Sequence, residues 1–136
     1  MSRNAYDAYS NTSVLSADGV TLTTMLYDGL LKAIKKARLF HEAKNAKSYA
    51  HEIERINLIL GELLTSLDLT QGKMPEQMSA LYVYCMRATI EASLKGPGRL
   101  AEVEQIITNI ATAWKTATAS LKGTEATPRS LADVAA

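Results

Sequence analysis

Between Tyr49 and Leu67 six apolar residues, Tyr49, Ile53, Ile56, Leu60, Leu63 and Leu67, recur in steps that alternate four and three. That spacing puts all six on one side of an α-helix and keeps them there over almost the whole segment. A strand has no use for it, because successive strand residues point to opposite faces. A straight apolar seam needs a neighbour packed at a small crossing angle, as in a helical bundle.

The rest of the chain supplies the neighbours. Asp18 can cap a first helix, in which Leu22, Met25, Leu26, Gly29, Leu30, Ala33, Ile34 and Ala37 recur at helical spacing. Gly29 suggests a close helix approach, since an interior helical glycine costs roughly 1 kcal/mol against alanine. Lys32, Lys35, Lys36 and Arg38 come late in this helix, where the macrodipole favours cations. Lys44 to Lys47 reads as a turn, and Leu69 to Lys73 ends the second helix. Pro75 suits the first turn of a third helix, where a missing amide costs nothing. Met78, Leu81, Cys85, Ala88 and Ala92 form its seam, and Lys95-Gly96-Pro97-Gly98 stops it. A fourth helix carries Leu100, Val103, Ile107, Ile110, Trp114, Ala117 and Leu121. Short links predict an all-α fold: an antiparallel up-down-up-down four-helix bundle over residues 18–121. Residues 1–17 read as an N-terminal arm, and 122–136, small and polar, as a disordered flexible tail.

Composition narrows the function classes. Hydrophobic residues make up 47% of the 136, enough for a core without staples. The net charge of +1 supplies no general field for nucleic acid, and basic residues are interleaved with acids. The single cysteine, Cys85, cannot form an internal disulfide, which fits a reducing compartment. No apolar run reaches the length of a membrane span, and the first residues lack the apolar core of a signal peptide, so a cytosolic protein is expected.

Candidate chemistry is sparse. Di-iron bundles need Glu-x-x-His pairs, and neither His41 nor His51 has a glutamate three residues before it. No metal, cofactor or catalytic site is therefore expected. Cys85 lies on an apolar seam, where cysteine is usually a small core residue. His41-Glu42-Ala43-Lys44 has the His-x-x-Lys of histidine phosphotransfer bundles, but Asn45 stands where those usually carry glycine, and His41 falls at a helix end.

Four strings in order carry a resemblance: Met25-Leu26-Tyr27-Asp28-Gly29, Ser66-Leu67-Asp68, Leu81-Tyr82-Val83-Tyr84 and Ala113-Trp114. With Tyr6 and Tyr9 ahead of them, the chain resembles the flagellin export chaperone family, FliS, over about residues 6–121. It departs at the entry to the first helix, where Ser16-Ala17-Asp18-Gly19 replaces a Thr-Ala-Ser-Pro-type start, and at Gly72-Lys73, where the family often has two glycines.

The resemblance implies the same bundle fold and a cytosolic chaperone. Its client would be the disordered C-terminal segment of flagellin, its destination the flagellar export gate, and an anti-sigma factor a further partner in some members. A monomer or weak homodimer would suffice, with no nucleic acid and no membrane insertion. Binding would be helix-in-groove recognition with folding of the client. Apolar residues off the seams are the candidates for it: Tyr27 and Leu31 in the first helix, and Tyr82, Val83, Tyr84, Met86 and Ile90 in the third. Val83, Met86 and Ile90 form a second apolar stripe, which either meets a partner or packs more deeply in the bundle. Tyr6 and Tyr9 would fold over the groove until the client arrives. A generic helical adaptor or oligomerisation module, and a phosphotransfer domain using His41, are the competing classes.

Overall fold

The computed structural model of the chain describes residues 16–126, with side chains up to residue 120. Four helices follow one another: α1 (Ala17–Glu42), α2 (Ala46–Thr65), α3 (Lys73–Lys95) and α4 (Leu100–Ala126). A 3₁₀ turn, Pro97–Arg99, leads into α4. In cross-section α1 and α3 are diagonal, each flanked by α2 and α4, and of the adjacent pairs α3 and α4 approach each other least closely. The bundle is antiparallel: Tyr49 early in α2 bonds the Ala92 carbonyl late in α3, and Arg38 late in α1 pairs with Glu104 early in α4.

Ser16, not Asp18, caps α1: its Oγ accepts from the Gly19 amide at 3.1 Å. Asp18 falls inside the first turn, where its charge meets the positive end of the helix dipole. At the other end α4 continues through residues 122–126, which the spacing had assigned to the tail. The remainder of the expected arm and tail lies outside the described residues.

The α1–α2 joint is very tight. The Asn45 amide bonds the Phe40 carbonyl and the Lys44 amide bonds that of His41, which closes α1 as a Schellman motif. Asn45 also caps α2, its side chain accepting from the Ser48 amide. Lys44 therefore occupies the left-handed position of the motif, at φ 58°. Glycine takes that conformation without steric cost, so Lys44→Gly is expected to raise unfolding stability by about 0.5–1 kcal/mol in urea titrations.

The seam of α2 is buried from Tyr49 to Leu63 as its spacing predicts, with Ile56 and Leu60 fully inaccessible, while Leu67 lies past the helix end and is half-buried. The other seams are rotated from the predicted ones. In α1 the buried stripe is Val20, Thr23, Tyr27, Leu30, Ile34 and Ala37, while Leu22 and Met25 are 44% and 63% exposed. In α3 Tyr82 is buried and Leu81 exposed; in α4 Ala111 and Thr118 are buried and Ala117 exposed. Each shift brings in a residue with a hydroxyl or a small side chain that finds a partner inside. Thr118 bonds the Trp114 carbonyl, and Tyr27 and Tyr82 bond each other.

Gly29 does not mark an unusually close approach. A Cβ there would stand 3.7 Å from Ile59 Cδ1, an ordinary contact. Gly29→Ala should accordingly stabilise the fold, by up to about 1 kcal/mol from helix propensity, read as a higher denaturation midpoint.

Candidate functional site

The predicted partner-binding residues do not share one surface. Tyr6 and Tyr9 lie outside the described residues. Tyr27 and Tyr82, expected beside the core stripes, are instead in the core, each 1% exposed. Their hydroxyls share a hydrogen bond of 2.7 Å across the bundle diagonal, from α1 to α3. Trp114 of α4 stands edge-on to Tyr27 at 6.3 Å, and its indole N–H donates to Thr24 Oγ1 at 3.0 Å. A tyrosine can be buried when its hydroxyl is satisfied, and the aromatic volume then fills the centre between helices. As placed, these two tyrosines build the scaffold and do not face a partner. Leu31 and Met86 are half-buried against the core.

What remains at the surface lies on two flanks of α3. Tyr84, 40% exposed, turns toward α4. Its hydroxyl donates to the Glu102 carboxylate at 2.8 Å and accepts from Arg99 Nη2 at 2.6 Å. The Arg99 guanidinium lies over the Tyr84 ring, 5.1 Å from its centroid, and its Nη1 donates to Glu91 at 3.0 Å. The hydrogen bond from Arg99 holds the Glu91 carboxyl below the usual carboxylate range. This exposed polar clasp ties α3 to the 3₁₀ turn and to the start of α4 where those helices are loosely packed.

The other flank is apolar. Val83 and Met86 are half-buried, Ile90 is 53% exposed, and Leu94 continues the row at 80%. By helical spacing Val83, Met86 and Ile90 lie on the side of α3 away from Tyr84, toward α2, and Leu94, three residues after Glu91, turns outward. On α2, Leu58 is 63% exposed, and the neighbouring Asn57 Oδ1 is buried without a hydrogen-bond partner. The structure thus joins Val83, Met86 and Ile90 on one face and separates them from Tyr84 and from Leu31. The sequence reading missed Leu94, although it follows Ile90 by four and extends the same stripe.

No His, Cys, Asp and Glu group suited to a metal occurs among the described residues. Cys85 is fully buried, and burial pushes its thiol up to about 11, with the Glu102 charge adding to the effect. At pH 8 the thiolate fraction is then on the order of 10⁻³, against about a quarter for an ordinary thiol. Alkylation of Cys85 by iodoacetamide is expected to be at least about 100-fold slower in the folded protein than in urea, as the raised thiol pKa and steric exclusion act together. The unfolded chain releases this proton at lower pH than the folded one, so raising the pH from about 9 toward 11 favours unfolding.

Among the described residues no helix is long and apolar enough to cross a membrane. Polar ties on one flank of α3 and an exposed apolar row on the other define a four-helix bundle with apolar surface that its own core does not use. The family model described as flagellar protein FliS matches residues 2–121. The Flagellar secretion chaperone FliS of Escherichia coli (strain K12) is 36% identical over 107 residues, which cover 76% of this chain and 79% of that protein. The one from Bacillus subtilis (strain 168) is 34% identical over 116 residues, 85% of this chain and 86% of its own. The chain belongs to the FliS family, a family of flagellar secretion chaperones.

Proposed function

We propose that this protein is a cytosolic flagellar export chaperone that binds the disordered C-terminal segment of flagellin, holds it back from polymerising and delivers it to the flagellar type III export apparatus. The observation that carries the reading is the apolar row on α3, Val83, Met86, Ile90 and Leu94, exposed at its end in a chain of this family. A client that folds as an amphipathic helix would lay its apolar side there, and its ordering entropy would be offset by the area it covers. The task needs no catalytic group. The arm bearing Tyr6 and Tyr9 would cover the groove in the free protein and yield to the client.

Calorimetric titration with a peptide of about 40 residues from the flagellin C-terminus, at several temperatures, tests this directly. Tight binding with a large negative heat-capacity change is the expected result. An absence of heat at tens of micromolar, with the peptide still disordered by circular dichroism, would leave the chain a generic adaptor. The phosphotransfer alternative is poorly served by the structure. His41 sits in the last turn of α1, with its ring 5.2 Å from that of Tyr49, at the joint and not in mid-helix.

A further inference from the structure

α1 and α2 run antiparallel and meet at Gly29 and Ile59. Helical spacing puts Leu22, Met25, Lys32 and Lys36 on the Gly29 side of α1. It puts Arg55, and His51 one turn before it, on the Ile59 side of α2. All six residues are exposed. Because the helices run in opposite directions, Lys32 and Lys36 share one end of the seam with His51 and Arg55. Leu22 and Met25 hold the other end.

The cations at this end have no ion-pair partners. Arg38, Lys95, Arg99 and Lys115 each hold a carboxylate, whereas Lys32, Lys36 and Arg55 hold none among the described residues. The acids of these helices do little to neutralise them. Asp28 is taken by Lys115, and the buried Glu52, seven residues before Ile59, offsets at most one of the cations at this end. Glu42 and Glu54 fall at least about a third of a turn round their helices from the seam, and Glu62 belongs to the apolar end. Lys35 and Lys47 add further unpaired charge beside the cluster.

We propose that this α1–α2 face docks an acidic amphipathic helix of a second protein partner. Its apolar side chains cover Leu22 and Met25, and its carboxylates meet Lys32, Lys36 and Arg55. The charge complementarity is directional, since apolar and basic ends are separated along the seam. Met25 and Lys36 are eleven residues apart, about 16 Å of helix. A helix of three or more turns laid along the seam satisfies both ends. A flat lipid surface instead favours apolar and basic groups side by side along the whole face, and a phosphate backbone gives Leu22 and Met25 nothing. The face lies on the α1 side of the bundle, diagonal to α3, so a helix bound here leaves the α3 row free. The inference does not depend on what binds α3.

The test uses a synthetic helix of about 20 residues, with leucines along one edge of one half and glutamates in the other. Amide shifts in ¹⁵N-labelled full-length protein report where it binds. Shifts are expected along residues 22–36 and 47–58, with affinity falling on the order of tenfold between about 50 and 300 mM salt. The K32E/K36E/R55E variant, altered only at exposed positions, should keep its circular dichroism and lose at least tenfold in affinity. Its affinity for the flagellin peptide should stay unchanged. Three results each overturn the proposal: shifts absent from this face, equal binding of a peptide with lysine in place of glutamate, or loss of flagellin-peptide binding by the triple variant. Engagement of the same residues by vesicles with about 30 mol% phosphatidylglycerol, or by an oligonucleotide, without the acidic peptide would overturn it in favour of that ligand.

Discussion

Ile90→Asp combined with Leu94→Asp is expected to weaken the flagellin C-terminal peptide at least ~100-fold, which is about 2.7 kcal/mol. Both side chains stand largely in water in the free protein, at 53% and 80% exposure. A client helix laid on α3 would cover on the order of 100 Å² of apolar surface at each, and each such area is worth roughly 2–3 kcal/mol when removed from water. A carboxylate at the same place must be desolvated without a partner, which adds to the loss. Folding should scarcely notice. Surface changes away from caps and networks usually stay within about 0.5 kcal/mol. Calorimetry for the peptide and thermal melts for the chain separate the two effects. A variant that melts normally and still binds at full strength would move the client off this face, and the neighbouring α3–α4 clasp of Tyr84, Arg99 and Glu102 would be the next surface to test.

The second large effect concerns the fold itself. Ile56→Ala should lower unfolding stability by about 3–4 kcal/mol, a sizeable part of the 5–15 kcal/mol of a typical domain. Ile56 is fully buried in the middle of the α2 seam, packed in the core with Leu30, Ile34, Cys85 and Ile107. Truncation removes three carbons from a place where four helices meet and little can collapse to fill the void. The melting temperature should fall on the order of 10 °C. Leu58→Ala, two residues further and 63% exposed, should change stability by no more than about 0.5 kcal/mol. Urea titrations of the pair give the comparison. Similar losses for both would mean that the α2 seam is not what holds the bundle.

The contrast between Ile56 and Leu58 is legible in the sequence, because Ile56 lies at the centre of the α2 seam and Leu58 falls on the opposite side of the helix. The four helices, their breaks at Lys44–Asn45, Gly72 and Gly96, and the antiparallel order follow from the same kind of local pattern. So does the family, which rests on short strings in a fixed order. In α1, however, two apolar rows overlap: Leu22, Met25 and Gly29 on one side, Val20, Tyr27 and Leu30 on the other. Spacing alone does not say which row turns inward. Tyr27 and Tyr82 settle it in the structure, because their hydroxyls can meet only across the diagonal of the assembled bundle, 55 residues apart in the chain.

Charge shows the same division. Along the sequence, acids interleave with lysines and arginines and the net charge is +1, which reads as an evenly solvated surface. Folding assigns partners: Asp28 goes to Lys115, Glu104 to Arg38, Glu91 and Glu102 to Arg99. Lys32, Lys36 and Arg55 are left over, and the antiparallel turn at Lys44 brings them to one end of one seam. The sequence by itself determined the elements, the number of helices and the kinship, because helix periodicity and capping act over a few residues. Only the tertiary structure decided which apolar rows are consumed, which stay at the surface, and where unpaired charge collects, because burial and pairing depend on residues brought together from opposite ends of the chain.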